Sequence, residues 1–108
     1  MRNGRIVEWD IDNMHSSRIV DNSGNVRWYA DGQLHRTDGP AVEYAHGDCF
    51  WYVNNQLHRI DGPAIEFANG TCEWYLRHTR YTFTNWCNAL NTTPETRTLL
   101  MLKWSSHA

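Results

Sequence analysis

Histidine, arginine and aspartate recur together at one fixed spacing in this 108-residue chain. "LHRTDGPAVEY" runs from Leu34 to Tyr44 and "LHRIDGPAIEF" from Leu57 to Phe67, with eight of eleven positions identical. A His three residues before an Asp could form an acid–base pair or supply two metal ligands. His35 with Asp38, and His58 with Asp61, offer that pair twice. A metal would need further ligands, and nothing else recurs at the right distance. Two equal copies would also mean two equal active sites. The chain has no nucleophile elbow, P-loop or complete metal set. The reading is therefore no enzyme, no metal and no cofactor.

The same residues are well suited to building a corner. Asp side chains satisfy free backbone N–H groups, Gly permits unusual φ, and Pro fixes φ. Asp38-Gly39-Pro40 and Asp61-Gly62-Pro63 read as turns, with each Pro at the start of the following strand, where a missing N–H does least harm. His35 and His58 need a polar partner, and Asp38 and Asp61 are the nearest. Arg36 and Arg59 are free to pair with Glu43 and Glu66 or to stay exposed.

The corners belong to a longer period. Trp28, Trp51 and Trp74 are 23 residues apart, each followed by Tyr (Tyr29, Tyr52, Tyr75) and preceded at four residues by Gly (Gly24, Gly47, Gly70). "NGRIVEWDIDNMH" is a worn earlier unit with Trp9 in the Trp role, off the period. Each unit reads as strands joined by tight turns. Asp31-Gly32 suits a type I′ hairpin turn. Asn54-Asn55 takes its place next, then Arg77-His78, a poorer pair. Second turns fall at His46-Gly47 and Asn69-Gly70. Two-residue turns predict Trp28 across from His35, Trp51 from His58 and Trp74 from Tyr81. They also predict Trp51 across from Val42, and Trp74 from Ile65. Strand alternation then puts Cys49, Trp51, Val42 and Tyr44 on a core face. Phe50, Tyr52, Glu43 and Leu57 fall on the other face, an aromatic one dressed with acids. Cys49 and Cys72 hold equivalent positions with strands between them, so no disulfide joins them.

The last residues change pattern. "TFTNWCNAL" predicts a short helix from about Thr84 to Leu90. "TTPETRTLLMLKW" predicts a second, with Thr93 as N-cap and Pro94 at the first helical position. Leu99, Leu102 and Met101, with Trp104, are expected against the sheet. The fold expected is a mainly β, antiparallel hairpin-repeat meander of 23-residue units, capped by one or two C-terminal helices. It divides one domain, residues 1–108, into an N-terminal cap (1–18), β-repeats (19–82) and a helical cap (83–108).

Bulk properties exclude several classes. Ten Lys+Arg against twelve Asp+Glu leave no basic stripe for nucleic acid. No apolar run approaches a membrane span, and no signal peptide is apparent. Three cysteines without CxxC spacing fit reduced thiols. A cytoplasmic protein is expected. Six Trp, five Tyr and three Phe exceed what a small core needs, and large rings make good contact surface.

"WYADGQLHRTDGPAVEY" and "WYVNNQLHRIDGPAIEFANGTCEWYL" resemble the MORN-like repeat variants of bacteriophage and giant-virus proteins. The tail "FTNWCNALNTTPETRTLLMLKW" looks like the ending of small phage proteins of this kind. The likeness covers most of residues 19–104 and departs from the pattern in the first 18 residues and at Arg77–Tyr81. It implies a β-hairpin array, a viral origin, and use in binding or scaffolding rather than catalysis.

The expected function is a non-enzymatic inhibitor of a host protein, such as an antiviral-defence component or a toxin. Tyr, Trp and Arg dominate interface hot spots, so the candidate contacts are Tyr29, Arg36, Phe50, Tyr52, Arg59 and Tyr75, with Glu43 and Glu66 beside them. His35, Asp38, Gly39, Pro40, His58, Asp61, Gly62 and Pro63 are expected to be structural, with Trp28, Trp51 and Trp74. A sponge for a nucleotide signal is the alternative, with rings stacking on the base and Arg holding phosphate. A scaffolding role is the third reading. Homodimerisation would cover exposed sheet edges.

Overall fold

The computed structural model describes residues 16–104. The worn unit around Trp9 lies outside the described residues. Ten strands precede two helices: β1 Ser16–Val20, β2 Val26–Ala30, β3 Gln33–Leu34, β4 Val42–Glu43, β5 Cys49–Phe50, β6 Tyr52–Val53, β7 Gln56–Leu57, β8 Ile65–Glu66, β9 Cys72–Leu76, β10 Thr79–Tyr81, α1 Phe83–Ala89 and α2 Pro94–Trp104. Every pairing is antiparallel. The main sheet runs β1-β2-β4-β5-β8-β9-β10, with β3 beside β2, and β6-β7 form a separate hairpin. The fold is thus the mainly β antiparallel meander with helices at its C-terminal end. Its extents of 50 × 28 × 21 Å suit a stack in which each unit leans on its neighbours.

One row of turns matches expectation. Asp31-Gly32 (φ 53 and 80), Asn54-Asn55 (φ 51 and 67) and Arg77-His78 (φ 49 and 69) all take the left-handed conformation of a type I′ loop. Ala30 therefore opposes Gln33, Val53 opposes Gln56, and Trp74 opposes Tyr81. His35 and His58 donate their backbone N–H groups to the Trp28 and Trp51 carbonyls.

The other row of turns corrects the register by one residue. Tyr44 N–H donates to the Asp48 carbonyl, and Phe67 N–H to that of Thr71. The loops are therefore three residues long, Ala45–Gly47 and Ala68–Gly70, with Gly47 and Gly70 at positive φ (114° and 95°) closing each as a bulge. Val42 consequently opposes Phe50, and Ile65 opposes Glu73; neither opposes a Trp. A slip of one residue exchanges the faces. Val42 and Tyr44 join Phe50 and Tyr52 on the aromatic face, while Glu43 and Glu66 move to the face of the Trp and Cys residues. Cys49 opposes Glu66, which opposes Cys72, so a whole strand separates the two thiols.

This register also explains two small residues. Trp28 and Trp51 donate their backbone N–H groups to the carbonyls of Ala41 and Ala64. Ala41 thus stands between Trp28 and Trp51, and Ala64 between Trp51 and Trp74. Both alanines are fully buried, because flanking indoles leave space for a methyl group alone.

The helices cover the Trp face of the last unit. Thr82 caps α1 by accepting the Asn85 N–H at 3.1 Å, so the helix begins at Phe83, just ahead of the expected Thr84. Thr93 accepts the Thr96 N–H at 3.1 Å and caps α2 as expected. Trp74, Leu76, Trp86 and Cys87 form the buried cluster, with Phe83, Leu90, Leu100 and Trp104 around it. The expected inner face of α2 is corrected. Leu99 (67% exposed), Met101 (53%) and Leu102 (73%) point to solvent, and Leu100 packs with Trp104 instead. The helix is oriented by Arg97, which donates to Asn88 Oδ1 at 3.1 Å. Arg97, Leu100 and Trp104 share one side at helical spacing.

Candidate functional site

The doubled HRxDGPA segment folds into a clasp around its arginine. Arg36 Nε donates to Asp38 at 2.9 Å, and Nη1 donates to the Pro40 carbonyl at 3.2 Å and to Glu43 at 3.3 Å. Arg59 repeats the set on Asp61 at 2.8 Å, the Pro63 carbonyl at 3.0 Å and Glu66 at 2.7 Å. Each guanidinium also lies over a Trp ring, Arg36 at 4.2 Å from Trp28 and Arg59 at 3.8 Å from Trp51, a favourable cation–π distance. The planar fork of Arg suits this many directed bonds. The Gly in each corner has a matching cause. A Cβ on Gly39 would lie 2.6 Å from Arg36 Cζ, and one on Gly62 2.8 Å from Arg59 Cζ. Both charges are thereby turned inward, with 22% of the Arg36 side chain and 9% of the Arg59 side chain exposed.

The Asp residues thus hold Arg, not the neighbouring His as expected. The histidines reach across to the next unit. His35 Nδ1 accepts the Asn54 N–H at 3.2 Å, and His58 Nδ1 accepts the Arg77 N–H at 3.0 Å. The return bonds run from Leu34 N–H to Asn55 Oδ1 at 2.8 Å and from Leu57 N–H to His78 Nδ1 at 3.1 Å. This explains the poor turn pair Arg77-His78: His78 supplies the acceptor that Asn55 supplies one unit earlier. At the opposite row of turns, Asn25 and Asp48 accept the N–H groups of Ala45 and Ala68 at 2.8 and 2.7 Å. The Ala68 N–H, then His46, holds the Asp48 carboxyl below its ordinary range.

An imidazole that accepts an N–H must be unprotonated at that nitrogen. Burial, then the Arg77 charge, lowers the His58 pKa from its usual 6.5. As pH falls, the unfolded chain therefore takes up the proton before the folded one does. The His58 contribution is complete above the unfolded pKa and is lost as pH falls towards the folded one. Urea midpoints should hold near pH 7.5 and fall by about pH 5.5. In a His58→Phe variant that fall should shrink; an unchanged pH slope would remove His58 as its source.

The aromatic face is the other constellation. Tyr44, Phe50 and Phe67 form an edge-to-face row with centroids 5.6 and 6.3 Å apart. His46 stacks on Tyr44 at 5.5 Å, and Arg27 lies 5.9 Å from the same ring. Tyr29 and Tyr52 lie on this face opposite Leu34 and Leu57, and Tyr75 lies opposite Arg80. All six rings are half-buried, with part of each open to solvent, whereas Val42, Leu57 and Ile65 on the same face are buried. The helices sit on the opposite face, against Trp74. Burial, with Tyr44 second, raises the Tyr52 hydroxyl, and burial with Glu73 raises that of Tyr75. Both rings stay neutral contact surface at physiological pH.

Tyr44 and Phe67 were not among the expected contacts, although their common place in "AVEY" and "AIEF" marks them as equivalent. Of those that were, Tyr29, Phe50, Tyr52 and Tyr75 share the aromatic face. Arg36 pairs with Glu43, and Arg59 with Glu66, on the Trp side. The thiols of Cys49 and Cys72 are raised, by burial first and then by nearby acids, which keeps them protonated and poorly nucleophilic. Among the described residues, no three His, Cys, Asp or Glu side chains are grouped to hold a metal ion, and no helix is long and apolar enough to cross a membrane. No family model, no curated protein and no solved structure matches the chain.

Proposed function

We propose that the chain is a non-enzymatic binding protein that engages another protein through its aromatic sheet face. The carrying observation is the partly exposed row Tyr44–Phe50–Phe67 with Tyr29, Tyr52 and Tyr75 beside it, on the side away from the helices. Such rings, on a rigid sheet and over buried aliphatic side chains, lose little side-chain entropy on contact. The resemblance to viral MORN-like variants supports a host target in the cytoplasm, either a component of antiviral defence or a toxin. The nucleotide-sponge reading is weaker, because Nε and Nη1 of Arg36 and Arg59 already donate to Asp and Glu carboxylates and a Pro carbonyl. A phosphate would have to compete with those bonds.

The test is retention from a bacterial lysate on immobilised protein, followed by affinity measurement on the retained partner. Tyr44→Ala and Tyr52→Ala should each weaken binding by about 2 kcal/mol, roughly 30-fold in Kd. Leu102→Ala, on the exposed side of α2, should leave it unchanged. A partner held equally by wild type and by the Tyr44/Tyr52 double variant, at equal melting temperature, would defeat the proposal.

A further inference from the structure

The hairpin tips of the second and third units flank an open, shallow cleft of about 160 Å³, lined by Val53, Asn54, Gln56, His58 and Arg77. This is below the roughly 300–1,000 Å³ of pockets for drug-sized ligands, but ample for several waters or a small ion. The lining is rich in donors. His58 Nδ1 is occupied by the Arg77 backbone N–H, so a neutral ring carries its proton on Nε2. Asn54 and Gln56 add side-chain amides. The Arg77 guanidinium is exposed and makes no hydrogen bond or ion pair with any described residue. Its charge reaches the His58 ring, which it helps to keep neutral. No acidic side chain lines the cleft.

We propose that this cleft is a binding site for a small tetrahedral oxyanion of the phosphate class. The Arg77 guanidinium would be its charged anchor, with His58, Asn54 and Gln56 as neutral donors. Guanidinium and phosphate match in charge and in the geometry of paired hydrogen bonds. The chain contains its own comparison. One unit earlier, the corresponding positions are Ala30, Asp31, Gln33, His35 and Asn54. The His staple is preserved there, but an acid replaces Asn54 and an amide replaces Arg77. That tip lacks the anchor and has a carboxyl group where the cleft has an amide. The site lies at the hairpin tips and does not depend on the aromatic face binding a protein.

The experiment follows the His ring resonances of the full chain by NMR near pH 7.5. Inorganic phosphate is exchanged for chloride at constant ionic strength. His58 should shift saturably while His35 stays still. Arg77→Gln, which keeps the backbone N–H of the staple, should weaken binding at least ~10-fold. Asn54→Asp, which installs the acid of the earlier tip, should do the same. Adenosine monophosphate serves as a second arm. Saturable binding of it at His58 identifies the phosphoryl group of an ester as an occupant, and its failure to compete confines the site to the free ion; either result retains the oxyanion site. His35 and His58 shifting together, a shift that never saturates, or equal binding by Arg77→Gln at unchanged melting temperature would overturn it.

Discussion

Arg59→Ala is expected to lower the unfolding free energy by about 3 kcal/mol, among the largest losses available to a single charged residue in the sheet. Removing the guanidinium leaves Asp61, Glu66 and the Pro63 carbonyl without their donor. It also uncovers the Trp51 ring, which the guanidinium approaches to 3.8 Å. Water can reach Asp61, 72% exposed, so the loss falls mainly on the part-buried bonds to the Pro63 carbonyl and Glu66 and on the uncovered Trp51 ring. Arg36→Ala breaks the same set of bonds in a more open setting, with longer contacts to Pro40 and Glu43. Its expected cost is about 1.5 kcal/mol. Arg59→Lys should recover little, since an ammonium cannot fork to three acceptors while lying flat on an indole. Urea denaturation of the three variants decides the matter. An Arg59→Ala midpoint equal to wild type, or full recovery by lysine, would show that the clasp does not hold the corner.

The contrast between the two rows of turns shows how much of the fold was legible in the sequence. Asp31-Gly32 and Asn54-Asn55 announce type I′ loops through residues that tolerate positive φ, and the pairing around them followed. Ala45-His46-Gly47 carries the same kind of signal, a Gly at positive φ, but a Gly also closes a three-residue bulged loop. Nothing local separates the two, and one residue of error reversed the faces of Val42, Glu43 and Tyr44. The helix told a similar story. Leu99, Leu100, Met101 and Leu102 are consecutive, so their hydrophobicity points nowhere in particular. The bond from Arg97 to Asn88 and the Trp104 ring fix the inner side. The role of His35 and His58 was hidden for a different reason. Their partners are backbone N–H groups 19 residues downstream, and a backbone group leaves no mark on residue type. The aromatic face was readable as a set of rings. The two acids expected on it, Glu43 and Glu66, belong to the arginine clasps of the other side, and Glu73 beside Tyr75 is the acid it carries.

Trp86→Ala is expected to cost about 4 kcal/mol, at the upper end of core truncations. The first two units close their indoles with a guanidinium from their own corner. The third has no such arginine, and Trp86 takes over: its ring lies 4.6 Å from Trp74 and is fully buried. Phe83 adds a second ring at 4.9 Å from Trp74. Trp86 also donates its indole N–H to the Arg59 carbonyl at 3.1 Å, tying the helical cap to the preceding clasp. Truncation therefore removes ring stacking, opens a cavity beside Trp74 and leaves a part-buried carbonyl without its donor. Trp86→Phe keeps part of the stack but loses the donor, so about half the cost should remain. Because Trp86 bonds to the Arg59 backbone, the two changes should not be independent. The Arg59→Ala/Trp86→Ala double variant should lose about 1 kcal/mol less than the sum of the single variants. Strict additivity in urea denaturation would mean that the cap and the clasp stabilise separate parts of the sheet. A shortfall would show that the end of the stack is held through the arginine that precedes it.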